Sequence, residues 1–273
     1  MLKECLEAVG EKKPLIHNIT NYVTVNDVAN VLLACKASPI MADDPQEAAE
    51  ITEICNGLNI NIGTLNQHTI PAMFAAGKRA AELGHCILLD PVGAGASSLR
   101  TNTALKLMQE IPFDCIRGNS SEIKTLALGS KTTQGVDANQ ADTVTKENLD
   151  EMVLFLKAFA KEQKSIIVCT GAIDLVSDGN RCYVIYNGRP QMGRITGTGC
   201  QLSGLITAYL AANPERKLDA CAAAVCLMGL AGELAWKRME ARDGNISYRN
   251  RIIDEIGVIS GEELEKGANY EVQ

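Results

Sequence analysis

The sequence predicts an α/β protein with a mostly parallel central sheet and helices on both faces. Three observations predict it. Short apolar or β-branched runs recur along the chain, and longer helical patterns separate them. The runs are unbroken rather than alternating, so both faces of each strand are expected to be covered. Crossovers of this length join strands that run in the same direction.

The elements follow in order. Strands are expected at 15–19, 38–41, 58–62, 86–89, 115–116 and 166–169. The spacing of Val25, Val28, Ala29 and Leu32 gives one apolar face and predicts a helix over 21–33. Further helices are expected at 45–55, 69–83, 101–109, 121–128 and 146–163. The pattern changes after Thr170. Segments 174–176 and 182–186 flank Ser177-Asp178-Gly179-Asn180, and Asp-Gly between two β-branched runs signals a hairpin. Only helices are expected after it, at 199–212, 218–238 and 246–256, with 267–273 fraying.

Composition bounds the function. The chain has 273 residues, of which 46% are apolar and 22% charged. That supplies a large core and excludes disorder as the main state. With no low-complexity linker and no internal repeat, residues 1–273 read as one domain. The net charge is −7, and binding to nucleic acid or an anionic membrane needs a basic surface, so neither is an expected partner. Aromatics at 4% offer little for stacking bases. Anions must therefore be held by local dipoles. The first residues alternate charged and apolar side chains, unlike a signal peptide. The longest uncharged, largely apolar run, 220–232, has 13 residues against the about 20 of a membrane span, so it reads as a buried helix. The ten cysteines form no C-x-x-C pair and have no histidine beside the closest two, Cys221 and Cys226. They read as reduced thiols of a cytoplasmic protein.

Ligands of an open parallel sheet bind beyond the carboxyl ends of its strands. One predicted strand ends in Asp90-Pro91-Val92-Gly93, the next in Arg117-Gly118-Asn119, the third in Thr170-Gly171. A structural protein has no need to gather an acid, a base, an amide and a hydroxyl at one rim. Asp90 has two readings, a cap on its turn or a ligand for Mg²⁺, which takes carboxylate and phosphate oxygens. Asn119-x-x-Glu122 likewise fits a helix capping box or, through Glu122, the same cation. Arg117 at the end of a buried strand needs an anion, and phosphate suits it. Neither a dinucleotide fingerprint nor a Walker A motif is present.

The strongest local signal is Thr196-Gly197-Thr198-Gly199-Cys200 before a helical run. Glycines let backbone approach a ligand, and the free N–H groups of a helix start favour negative charge. Cys200 there is either one more buried cysteine or a thiol with its pKa lowered toward neutrality. His17, His68 and His85 are too scattered for a triad or a metal site and read as structural. Met41 reads as core or as the wall of a pocket for a sulfur heterocycle. Two rival readings remain at this point: a thiol hydrolase or acyltransferase using Cys200, and a non-catalytic binding protein.

The segments H-N-I-T-N-Y-V (17–23), A-S-P-I-M-A (37–42), N-I-G-T-L (61–65), L-D-P-V-G-A-G-A (89–96), I-R-G-N-S-S-E (116–122), V-S-D-G (176–179) and T-G-T-G-C (196–200) resemble the hydroxyethylthiazole kinase family in order and spacing. The resemblance implies a ribokinase-like fold. It implies ATP- and Mg²⁺-dependent phosphorylation of the alcohol of 4-methyl-5-(2-hydroxyethyl)thiazole in thiamine synthesis. By the same resemblance Met41, Gly197, Asn21, Val23 and Gly63 line the substrate pocket. Arg117 and Thr170 bind ATP, Asp90 and Glu122 surround the metal, and Cys200 stands at the catalytic position. It further implies a homotrimer with substrate sites between subunits. Cys35-Lys36 departs from the family, which usually has a glycine there, and is expected to alter that turn.

Overall fold

The computed structural model describes residues 1–129 and 144–273. In chain order these form α1 (Leu2–Lys12), β1 (Leu15–Ile19), α2 (Val25–Ala34), β2 (Ser38–Met41), α3 (Ala48–Glu53), β3 (Gly57–Asn61), α4 (Thr69–Leu83), β4 (Cys86–Asp90), α5 (Ser98–Glu110), β5 (Cys115–Asn119) and α6 (Ser120–Gly129). After the undescribed residues come α7 (Leu149–Gln163), β6 (Ile166–Thr170), β7 (Asp174–Ser177), β8 (Cys182–Ile185), α8 (Thr198–Ala212), α9 (Lys217–Lys237), α10 (Asn245–Val258), α11 (Gly261–Gly267) and β9 (Tyr270–Val272). The strands form one sheet in the order β2-β1-β3-β4-β5-β6-β7-β8-β9. The first six are parallel, and β7, β8 and β9 are antiparallel.

Alternate residues of each central strand enter opposite layers. Leu88 and Val168 pack with α1, α2, α8, α9 and α10. Ile87, Leu89 and Ile167 pack with α4, α5, α6 and α7. Two covered faces explain why the strand runs are unbroken apolar. Helices α8 and α9 are buried on nearly all sides, which their Ala-, Gly- and Ser-rich sequences permit. The stretch Pro214–Lys237 is long and apolar enough to cross a membrane, yet 89% of its apolar window is buried inside the protein.

Several expectations needed correction. Residues 21–24 form a turn, and α2 starts only at Val25, because the Asn21 side chain accepts from the Thr24 amide and holds the chain out of the helix. The segment 45–55 narrows to Ala48–Glu53. Leu2–Lys12 is a helix that its mixed pattern did not announce. The C-terminus does not fray as expected: Tyr270–Val272 pairs with β8. It is held by Tyr270 against Tyr183, ring centroids 5.3 Å apart, and it covers what would be an open sheet edge. All ten cysteines are free and buried.

The departure at Cys35-Lys36 has a visible consequence. Lys36 sits at φ +71°, in the left-handed region. Its amide donates to Leu33 O and the Ala37 amide to Leu32 O, which closes α2 with the geometry that usually takes glycine. Lys36 therefore fills a glycine position at a backbone cost of about 1–2 kcal/mol.

Candidate active site

Register assembles the site. Asn61 pairs with Asp90, the β4–β5 register sets Asp90 level with Arg117, and Asn119 pairs with Thr170 two residues further on, so the ends of β3, β4, β5 and β6 form one staggered row. The N-terminus of α8 descends onto this row from the far end of the sequence.

Asp90 is fully buried. Its Oδ2 accepts from Asn61 Nδ2 at 2.7 Å and from Ser203 Oγ at 2.8 Å. Its Oδ1 accepts no hydrogen bond and faces Arg117 Nη1 at 3.6 Å. Burial pushes its carboxyl up to about 6; the Arg117 charge opposes the shift. Arg117 Nη2 donates to Thr170 Oγ1 at 2.5 Å. The guanidinium lies across Gly199, where any Cβ would collide with it. Gly199 thus lets the cation reach the start of α8.

Glu122 realises the capping box. Its Oε2 accepts from the Asn119 amide, and Asn119 Oδ1 accepts from the Glu122 amide, at 2.8 and 2.9 Å. Its Oε1 accepts from the Gly93 amide at 2.8 Å, so it also anchors the loop after β4. Both carboxylates keep spare lone pairs. Among the described residues no group of three or more His, Cys, Asp or Glu could cage a metal. The orphaned Asp90 Oδ1 and the Glu122 oxygens do fit Mg²⁺, which binds few carboxylates and brings phosphates and waters.

Gly197 caps α8 at φ +92°, and a side chain there would strike Thr24. Cys200 follows in the first turn, buried, with Asn21 Nδ2 donating to Sγ at 3.2 Å. The expected lowering of its pKa is reversed. Burial pushes the thiol up, the Asp90 charge adds to it, and contacts from Thr24, Asn21 and Asn61 only partly offset these. A helix start is too weak to ionise a thiol buried beside a carboxylate.

Gly63 joins the same group, because its amide donates to Asn61 Oδ1 at 2.9 Å, beside Asn21. Met41 stands apart, at the carboxyl end of edge strand β2 and half-buried. Val23 and its neighbour Tyr22 are exposed, 58% and 78%. Asn21, Gly63, Asp90, Arg117, Thr170, Gly197 and Cys200 thus lie along one contact network, which neither Met41 nor Val23 joins.

A cavity of about 450 Å³ opens beside Arg117. Its lining includes Arg117, Thr170, Thr198 and Gly199 and the apolar side chains of Met192, Leu202, Val225 and Met228. A cation and hydroxyls beside apolar walls suit a phosphorylated molecule with an apolar part. Asp174 also lines it, its Oδ1 accepting from the Gly171 amide at 2.8 Å, its carboxyl pushed up to about 7 by burial. The sequence reading missed Asn61, Ser203 and Asp174. Asn61 lies within a predicted strand run and Ser203 lies about one helical turn after Cys200, but nothing along the chain ties either to Asp90.

The Hydroxyethylthiazole kinase family model matches residues 6–262. A hydroxyethylthiazole kinase of Clostridium acetobutylicum is 57% identical over 271 residues, 99% of each chain. One from Clostridium beijerinckii is 45% identical, covering 96% of this chain and 93% of its own. The solved hydroxyethylthiazole kinase structure from Pyrococcus horikoshii OT3 superposes with a TM-score of 0.88 at 34% identity, over 100% of this chain and 98% of its own. A ribokinase-like superfamily protein from Enterococcus faecalis shares the fold at TM-score 0.64 and 14% identity, over 96% of this chain and 89% of its own. With the strand-end row, the glycine-capped helix and a full-length match, this chain belongs to the hydroxyethylthiazole kinase family.

Proposed function

We propose that this chain transfers the γ-phosphoryl group of ATP to the primary alcohol of 4-methyl-5-(2-hydroxyethyl)thiazole, for thiamine synthesis. The observation that carries the reading is the meeting of Arg117, Thr170 and the α8 N-terminus in the wall of one cavity that also has apolar side chains. The substrate oxygen bonds to the γ-phosphorus, the bond from that phosphorus to the β–γ bridging oxygen breaks, ADP leaves, and the hydroxyl proton is released. Such transfer rests on positioning and charge neutralisation.

Arg117 and Thr170 hold the phosphates of ATP, and the Thr198–Cys200 amides receive the transferring group. Asp90 and Glu122 would hold Mg²⁺, which when bound neutralises phosphate charge. Asn21, Gly63 and Gly197 line the alcohol's pocket, with Val23 and Met41 at its rim. Cys200 is neutral at rest, so it orients the hydroxyl more than it removes the proton. Tyr22 and Val23, next to Asn21, are exposed apolar side chains, which supports a homotrimer whose neighbouring copy covers them. We place this activity in the cytoplasm, in one domain spanning 1–273. The thiol hydrolase reading lacks its base. Both His17 nitrogens are engaged, by Thr52 Oγ1 and Ala42 O, and the groups about Cys200 are amides, a hydroxyl and a carboxylate.

The test is a reaction of purified protein with Mg²⁺, ATP and the thiazole alcohol. ADP and thiazole phosphate should form in equal amounts, and chelation should stop both. Absence of phosphorylated thiazole at saturating ATP would reject the assignment.

A further inference from the structure

We infer that Asn61 is a positioning residue for the transfer: its one carboxamide fixes Asp90 directly and Cys200 by way of Asn21. The inference rests on the kinase reading above. Asn61 and Asn21 are both buried, 1% and 4% exposed. Backbone donors decide which way each amide points. The Gly63 N–H donates to Asn61 Oδ1, so Asn61 Nδ2 must turn to Asp90 Oδ2, an acceptor-only partner. The Thr24 N–H and hydroxyl donate to Asn21 Oδ1, so Asn21 Nδ2 must turn to Asn61 Oδ1 and Cys200 Sγ, at 3.0 and 3.2 Å. The chain Asp90–Asn61–Asn21–Cys200 therefore has one consistent polarity. Ser203 supplies the second donor to Asp90 Oδ2. With Oδ2 held twice, the orphaned Oδ1 is aimed at Arg117.

Neither Asp nor Leu could replace Asn61. Asp lacks the donor and would set a second carboxylate against Asp90; Leu lacks donor and acceptor. In a site of low dielectric such a chain is stiff, and a displacement of about 1 Å at the reacting groups costs on the order of 10²-fold in rate. A strand-end amide that merely tied β3 to β4 would have no need to accept from Asn21, the residue that donates to Cys200 on α8.

The test is a double-mutant cycle of Asn61→Ala with Cys200→Ala in the thiazole phosphorylation assay. Asn61→Ala should lower kcat about 10- to 100-fold while KM for ATP and for the alcohol moves less than about threefold. In the Cys200→Ala background the same substitution should cost clearly less, because part of what Asn61 holds is gone. Full kcat in Asn61→Ala, or equal losses in both backgrounds, would overturn the inference. If Asn61→Ala does not fold, Asn61→Ser, too short to span from Gly63 to Asp90, must give the same kcat-selective, non-additive pattern. If neither variant folds, the amides serve folding rather than positioning, and the inference fails. An inactive wild type would instead reject the kinase reading itself.

Discussion

Arg117→Ala tests the electrostatics of the site most directly. The guanidinium faces buried Asp90 at 3.6 Å and donates to Thr170. At that distance, with an effective dielectric of about 20, the attraction to Asp90 is about 5 kcal/mol. Desolvation has already consumed part of this, so the net value of the pair is smaller. Removing one partner strands the other charge, which costs about 3–5 kcal/mol. The melting point should fall on the order of 10 °C. Binding is a separate effect. A hydrogen bond to a charged group is worth about 1.5–3 kcal/mol, so kcat/KM for ATP should fall about 10- to 150-fold. Arg117→Lys keeps the charge but not the fork that spans Asp90 and Thr170, so it should recover most stability and only part of the ATP effect. Adding Asp90→Asn to Arg117→Ala removes the stranded charge and should restore most of the melting point without restoring activity. The assays are thermal melts and initial rates against ATP concentration. An Arg117→Ala protein with unchanged melting point and unchanged kcat/KM would refute the argument.

Other expectations follow from single residues. Because burial holds the Asp90 carboxyl up to about 6, activity that needs its ionised form should fall as pH drops through about 6, and a rate flat down to pH 5 would contradict this. The sign for folding is opposite: ionised Asp90 is a cost that is absent below its ordinary value of 3.8 and fully present above about 6, so Asp90 itself makes the fold less stable as pH rises through that window. Lys36→Gly relieves about 1–2 kcal/mol of left-handed strain and gives back about 0.5–1 through the unfolded chain. It should raise the melting point by about 2 °C, and a lower melting point would show that Lys36 earns its place otherwise. Cys200→Ala should lose no more than about 10²-fold in kcat with thiazole binding kept, since a neutral buried thiol is a poor base; full kcat would make Cys200 a packing residue. Sedimentation should give a trimer, and an active single chain would contradict the shared pocket.

The sequence by itself determined the first eight strands of the sheet and the chemical inventory of its rim. Unbroken apolar runs, long crossovers and one Asp-Gly hairpin encode the layers, because covering both faces of a parallel strand demands them. Asp90, Arg117, Glu122, Thr170 and Gly197 were legible because each closes an apolar run or opens a helix, where a polar residue stands out. The capping box at Asn119 and Glu122 was legible because it is local. Tertiary structure alone decided the rest. Residues 21, 61, 90 and 203 share no spacing rule; parallel register and the descent of α8 bring them together, so their amide chain could not be read along the line. Strand β9 was invisible because three polar-edged residues carry no period, and only the open edge of β8 gives them a partner. The Cys200 thiol went the other way from its local signal, because pKa is set by burial and by Asp90 across the fold. A sequence lists charges in order, while their energies depend on distances and solvent access that exist only once the chain has packed.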